Sequence, residues 1–243
     1  MVRAVLCHES NELNALSVVI PVYRENPEIV EGLYFALSQL GAEVIIVDDG
    51  GYIDLKVPKH SIPHRGYGYA VKYGILQAKN KAVCVMDGDN QHSPEDMKKL
   101  WTMYRMVTDC KMVIGTRWNL IEPIYRKLGR KFLNLIASLV CGHYFIDLNS
   151  GMRVIDRDLA IKYFPILCDT FSFTTSLTIS MVADGYKIAW FPIEVKDRVY
   201  GKSTVKPIQD GFITLFYILR NGLALRTRSI RKWLRNLKLT GSR

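Results

Sequence analysis

"VCVMDGDNQHSPED", residues 83–96, decides how the chain is read. An apolar run climbs to Met86 and breaks at once into Asp87-Gly88-Asp89. Side chains at i and i+2 of an extended strand share a side, so the two carboxylates project together. They repel each other unless a cation sits between or beside them. Carboxylate oxygens suit Mg²⁺ or Mn²⁺, which keep positions open for water and phosphate oxygens. Gly88 lets a large ligand approach the backbone. A plain turn with two solvated acids would use the same residues, and D-x-D alone is a weak signal. The flanks favour the metal reading. A buried strand precedes the motif, and Ser93, Pro94, Glu95 and Asp96 follow it as cap, proline and acidic first turn of a helix. Gln91 and His92 stand where they could add ligands or support them.

Working outward, "SVVIPVY" (17–23) and "EVIIVDDGG" (43–51) are β-branched runs of buried-strand type. Between them, Pro27 opens a helix that Gly41 stops. "YGYAVKYGILQAKN" (67–80) and the stretch after Ser93 read as helices, and "KMVIGTR" (111–117) as a fourth strand. Strands alternating with helices predict a parallel sheet with right-handed crossovers. Ligands of such sheets bind beyond the carboxyl ends of the strands. The polar residues gather at those ends: Tyr23 and Glu25, Asp48 and Asp49, Asp87 and Asp89, Arg117. Acids at such a position often hydrogen-bond a ribose or a base, although "DDGG" also makes an ordinary turn. "HRGYGYA" (64–70) has G-x-G without a third glycine or an obvious strand before it, so it is no dinucleotide fingerprint. After residue 120 the pattern turns mostly helical to about 185, interrupted by "DLNSGMRV" (147–154). "YKIAWFPIEVK" (186–196) is strand-like, with Pro192 marking a break or an edge.

The chain has 243 residues and 49% hydrophobic composition, enough for one large domain with an appendage. The formal net charge is +10. The last acid is Asp210, whereas Arg220, Arg226, Arg228, Arg231, Lys232, Arg235, Lys238 and Arg243 follow without one. The body is near neutral and the tail is a separate basic object, suited to acidic lipid or nucleic acid. Five scattered cysteines without a C-x-x-C pair read as reduced core thiols of a cytosolic protein. No signal peptide is expected. "FLNLIASLVCGHYF" (132–145) and "GFITLFYILRNGLAL" (211–225) are too short and too polar for membrane spans of ~20 residues, and fit core or interfacial helices.

Together "VVIPVYRE", "IIVDDGG", "HRGYGYA", "VMDGDNQHSPE", "GTR", "DLNSGMR" and "RVYGKS" resemble glycosyltransferase family 2, most nearly its dolichol-phosphate mannose synthases and other polyprenyl-phosphate glycosyltransferases. The resemblance covers about residues 17–205. It implies an α/β protein of GT-A fold, a Rossmann-like nucleotide-diphospho-sugar transferase with a mostly parallel sheet flanked by helices. It implies a catalytic domain over 1–205, followed by basic amphipathic membrane-interface helices over 206–243. By motif position, Pro21, Tyr23, Glu25, Asp48, Asp49, Gly66 and Gly88 would hold the nucleotide-sugar. Asp87, Asp89 and Gln91 would hold Mg²⁺ or Mn²⁺ and the diphosphate. Arg117, Arg126 and Ser150 would face the acceptor phosphate. Arg198 and Lys202 would close over the donor, and Asp89, Arg117 and Arg198 would carry the catalysis. Relatives often have a serine about four residues past the arginine matched to Arg126, where this chain has Arg130.

The resemblance implies a single inverting displacement, with GDP-mannose as donor and a polyprenyl or dolichyl phosphate as acceptor. UDP-glucose, UDP-N-acetylglucosamine and non-lipid acceptors remain open, as does oligomeric state. A hydroxyl acceptor would need a general base, whereas a lipid phosphate is already anionic. The region where a hydroxyl-using transferase wants its acidic base, often a Glu-Asp pair, offers Asp147 instead. In "RSIRKWLRNLKL" (228–239), Ile230, Trp233, Leu234 and Leu237 share one helical face among basic residues, the pattern of a helix lying in an anionic membrane interface. The expected location is therefore peripheral, at the cytoplasmic face of a membrane. A nucleic-acid-binding protein with a basic arm would explain the tail but not the acids at the strand ends, so no nucleic-acid partner is expected. A nucleotidyltransferase would want a glycine-rich loop that "SVVIPVYREN" lacks.

Overall fold

A computed structural model of the chain describes residues 13–51, 53–196 and 206–240. Its elements run β1 (Leu16–Val22), α1 (Pro27–Gln39), β2 (Glu43–Asp49), β3 (Lys59–Ile62), α2 (Tyr67–Gln77), β4 (Ala82–Val85), α3 (Pro94–Met106), β5 (Cys110–Arg117), α4 (Ile124–Cys141), β6 (Arg153–Asp156), α5 (Arg157–Tyr163), α6 (Phe173–Ala183), β7 (Lys187–Ile193) and α7 (Pro207–Thr240). Among the described residues the strands form a single sheet in the order β3-β2-β1-β4-β6-β5-β7. All neighbours pair in parallel except β6, which runs antiparallel to both β4 and β5.

The central strands are apolar throughout because both faces are covered. Alternation sends Val18, Ile20 and Val22 of β1 into the core under α1 and α3, with Leu37, Met97 and Leu100. It sends Val19 to the opposite face, against Val71, Ile75 and Leu177 of α2 and α6. There α2 lies so close that a Cβ on Gly74 would stand 2.3 Å from Val19 Cγ1. A third core, with Ala137, Phe145, Leu148, Ile179 and Ile218, joins α4, α6 and the first half of α7.

Two expectations need correction. A strand, β3, does precede "HRGYGYA"; it is short and pairs only with β2 at the sheet edge, so backbone pairing rather than an apolar pattern makes it. The stretch 147–154 is no mere interruption of a helical region, because its end begins β6, a central strand. As expected from Pro192, β7 is an edge strand. The cap read at Ser93 is present: its hydroxyl accepts the Asp96 N–H at 3.1 Å. Cys84, Cys110 and Cys168 are buried free thiols and Cys141 is partly buried, while Cys7 lies outside the described residues.

Candidate active site

The strand order reverses between β1 and β4, and at such a switch point the connections diverge and leave a crevice. There the carboxyl ends of β1, β2, β4 and β5 open on a cleft of about 1190 Å³. Of the residues singled out in the sequence, Pro21, Tyr23, Glu25, Asp49, Gly66, Asp87, Gly88, Asp89, Gln91, Arg117 and Arg126 line it. Asp48 and Ser150 do not. Asp48 is fully buried, and its Oδ2 accepts from Lys59 Nζ at 2.8 Å and from the Ile53 N–H. Alternation turns Asp49 the other way, into the cleft. Ser150 is also fully buried behind the wall. Arg198 and Lys202 lie outside the described residues.

The acids after β4 are held from several sides. Asp89 is 3% exposed and accepts the Gln91 N–H at 3.0 Å. The Gln91 side chain donates to Lys196 O, tying the metal motif to the chain after β7. His92 Nε2 stands 3.7 Å from Asp87 Oδ2. Burial pushes the Asp87 carboxyl up, but His92, the Tyr67 hydroxyl and the Arg117 guanidinium together hold it below the usual carboxylate range. A Cβ on Gly151 would lie 2.5 Å from Asp87 Oδ2, so only glycine leaves that carboxylate its place. Gly88 lines the cleft too, but Val22 Cγ1 would stand 2.8 Å from its Cβ, so close packing also demands glycine there.

These residues fit a hard divalent cation: oxygen donors only, with the Asp87 carboxylate held below the usual range. Among the described residues no group of three or more His, Cys, Asp or Glu could hold a metal unaided. A cation on Asp87 and Asp89 would therefore complete its shell from Gln91, water and ligand phosphate, the habit of Mg²⁺ and Mn²⁺.

Across the cleft, Arg117 and Asp147 form a fork. Arg117 Nε and Nη2 donate to Asp147 Oδ2 and Oδ1, both at 2.8 Å. Burial raises the Asp147 carboxyl, yet Arg117 outweighs it and holds the acid below its ordinary range. An acid held ionised in this way is a poor general base at neutral pH. Arg130 is likewise taken, by Glu122 at 2.6 Å. Arg126 differs: its buried Nε has no hydrogen-bond partner, and it forms no ion pair among the described residues.

Sequence reading passed over two features, at Arg153 and His64, and left a third, the apolar windows of α4 and α7, open between core and interface. Arg153 is fully buried at the start of β6. It donates to Thr174 O, Thr178 Oγ1, Leu148 O and Ser150 O, pinning the loop behind the cleft to α6. Burial pulls its guanidinium down to about 10, so it stays charged at neutral pH. His64 stacks on Tyr23 at the cleft wall. Finally, α4 and α7 present large apolar side chains outward beside the cleft. Ile124, Leu128, Phe132, Leu135 and Leu139 form one helical stripe, with Ile121 exposed just before it, and Ile208, Phe212, Phe216, Leu219 and Leu223 form another. Among the described residues no helix is long and apolar enough to cross a membrane. The face expected on Ile230, Trp233, Leu234 and Leu237 lies on the helical backbone of α7, but those side chains are outside the described residues.

A mostly parallel sheet with helices on both faces and paired acids at its switch point is the GT-A architecture of nucleotide-sugar transferases. The family model of glycosyl transferase family 2 matches residues 17–164, and the chain belongs to that family. It is 28% identical over 229 residues to an uncharacterised protein of Methanocaldococcus jannaschii, covering 86% of this chain and 93% of that one. It is 29% identical over 191 residues to the undecaprenyl-phosphate 4-deoxy-4-formamido-L-arabinose transferase of Pectobacterium carotovorum, covering 67% of this chain but only 58% of the relative. Among solved structures, glucosyl-3-phosphoglycerate synthase of Mycobacterium tuberculosis with Mn²⁺, UDP and phosphoglyceric acid superposes with a TM-score of 0.66 at 16% identity, over 85% of this chain and 78% of that one.

Proposed function

We propose that this glycosyltransferase performs a divalent-metal-dependent, inverting transfer of a sugar from a nucleotide-sugar to a polyprenyl or dolichyl phosphate at a membrane surface. GDP-mannose is the first donor to test and UDP-glucose the second. One observation carries the reading: a single cleft joins the Asp87 and Asp89 carboxylates to Arg117 and Arg126 and adjoins the exposed apolar stripes of α4 and α7. The Pectobacterium relative is named for transfer to undecaprenyl phosphate, and the mycobacterial structure holds Mn²⁺ with UDP. Both support the reading.

In this mechanism Pro21, Tyr23, Glu25 and Asp49 bind the nucleoside, and Asp87, Asp89 and Gln91 hold the cation. When bound, Mg²⁺ or Mn²⁺ neutralises charge on the nucleoside diphosphate, making it a better leaving group. Arg126, with Arg117 oriented by Asp147, holds the acceptor phosphate by charge-assisted hydrogen bonds. A phosphate oxygen forms the new bond to the sugar's C1 as the bond from C1 to the diphosphate oxygen breaks. The diphosphate leaves with that electron pair, and no proton needs to move. Residues 1–205 form the catalytic unit. The apolar stripes and the basic chain after Asp210 seat it on an anionic membrane surface from the cytoplasmic side.

The deciding experiment is a calorimetric titration with GDP-mannose and UDP-glucose, with and without Mn²⁺, repeated on Asp89→Asn. Metal-dependent binding of one donor, lost in the variant, supports the site. Turnover on polyprenyl phosphate in vesicles, against soluble phosphate acceptors, then tests the lipid. Donor binding insensitive to Asp89→Asn would remove the basis of the metal assignment.

A further inference from the structure

The ring pair on the cleft wall has a fixed hydrogen-bonding polarity. Tyr23 and His64 stack with centroids 4.4 Å apart and planes 18° apart. His64 Nδ1 lies 2.9 Å from Asp49 Oδ2 and 3.2 Å from Asp49 O. A carboxylate and a carbonyl can only accept, so Nδ1 carries the hydrogen. In the neutral imidazole, Nε2 must then be an acceptor. It makes no hydrogen bond among the described residues, and half of the side chain is exposed.

This acceptor cannot easily turn away. Asp49 is 3% exposed and also receives the N–H groups of Arg65 at 2.8 Å and Gly66 at 3.0 Å. Gly66 has φ 109°, and a Cβ there would meet Asp169 O at 2.8 Å, so the loop under His64 is clamped. The wall therefore presents an aromatic surface and, beside it, one oriented lone pair. Asp48, the other acid of the pair, is turned away from the cleft.

We infer that His64 reads the donor's nucleobase, with Nε2 accepting a ring N–H. This selects a base whose ring nitrogen carries hydrogen beside a carbonyl, as in uracil or guanine. Cytosine and adenine place an acceptor at the corresponding ring nitrogen, so two lone pairs would face each other in a partly desolvated site. The inference rests on the nucleotide-sugar reading of the cleft and adds the residue that selects the base.

The test is titration with UDP, GDP, CDP and ADP in the presence of Mn²⁺ at pH 8, on the full chain and on His64→Phe. The phenyl ring keeps the stack on Tyr23 and removes the acceptor. In the native protein UDP or GDP should bind at least 10-fold more tightly than CDP and ADP. In His64→Phe the preferred nucleotide should weaken about 10-fold, the worth of one hydrogen bond, while CDP stays within twofold. His64→Asn, whose amide oxygen can accept, should recover part of the preference; a merely structural His64 would not produce this pattern. Equal binding of all four nucleotides by the native protein, or an unchanged preference in His64→Phe, would overturn the inference and leave the donor site standing. No binding of any nucleotide by folded native protein would overturn the donor site and the inference with it.

Discussion

Asp147→Asn is the sharpest perturbation of this site, because it keeps the shape and removes one charge. The Asp147 side chain is 3% exposed and that of Arg117 18%. The carboxylate accepts three N–H groups of Arg117, two from the guanidinium and one from the backbone at 3.3 Å. An asparagine amide offers one oxygen and one NH₂, so a guanidinium N–H would face another donor and the Arg117 charge would lose its counter-ion. Breaking a buried pair costs ~3–5 kcal/mol, and the residual exposure of Arg117 places this one near the lower end, about 3 kcal/mol. The pH dependence has a definite sign. The folded carboxyl titrates below its unfolded value, so the pair's contribution is complete above an unfolded pKa of about 3.9 and is lost as pH falls through the folded value. Urea denaturation of both proteins should therefore differ by about 3 kcal/mol at pH 7, and the gap should start to close below about pH 4. A gap under about 1 kcal/mol at pH 7, the worth of an exposed pair, would refute the buried-fork account. So would a gap that stays constant to pH 3. The same variant tests the chemistry. It should bind donor normally and still turn over at a reduced rate; complete loss of turnover in a folded, donor-binding variant would make Asp147 an essential base.

Three further outcomes are expected. Arg153→Met strips donors from Leu148 O, Ser150 O, Thr174 O and Thr178 Oγ1 while removing a costly buried charge. A net loss of about 2–3 kcal/mol should lower the Tm by about 5–10 °C in calorimetry, with Arg153→Lys recovering part of it; an unchanged Tm would contradict the pinning role. Gly151→Ala places a Cβ 2.5 Å from Asp87 Oδ2. It should weaken Mn²⁺-supported nucleotide binding about 10-fold with the fold intact by circular dichroism, about 1.4 kcal/mol, and wild-type affinity would show that Asp87 moves without consequence. Leu128→Glu combined with Phe212→Glu puts a charge into each exposed stripe and should release most of the protein from anionic vesicles in co-sedimentation; undiminished binding would locate the membrane contact elsewhere.

The parts legible in the sequence are those fixed by local chemistry. The apolar run of β4 and the Ser93 cap placed Asp87 and Asp89 between a strand and a helix, where the structure has them, but both acids lie in the turn beyond Val85, so strand alternation does not set their directions. What escaped reading depends on partners distant in the chain. Arg153 stands fully buried in a central strand, a place no apolar pattern would give it, and only the carbonyls brought by the loop and α6 make its burial tolerable. For Asp48 and Asp49, alternation says that the two acids face opposite ways but not which one meets the cleft; Lys59 on β3 settles it by capturing Asp48. The window 132–145 was readable as either core or interface because half of α4 does each. Asn134 and Ala137 face inward while Phe132, Leu135 and Leu139 stay exposed.

The charges of the cleft are graded from one end to the other, and the grading bears on the order of binding. Asp87 and Asp89 make the β4 end acidic, and in the proposed mechanism this end would repel a nucleoside diphosphate until a divalent cation arrived. Further along, Arg117 and Arg130 are matched by Asp147 and Glu122, so they orient a ligand without adding net charge. Arg126, which forms no ion pair among the described residues, breaks the balance on the side of the exposed stripes. A phosphate that enters from that side meets attraction first, and it meets the acids only if no cation covers them. In the proposed mechanism, metal and donor binding before the acceptor thus removes the repulsion of Asp87 and Asp89 from the acceptor's path. The reverse order would leave a phosphate held at Arg126 with nothing to attack and a carboxylate pair still uncovered ahead of it.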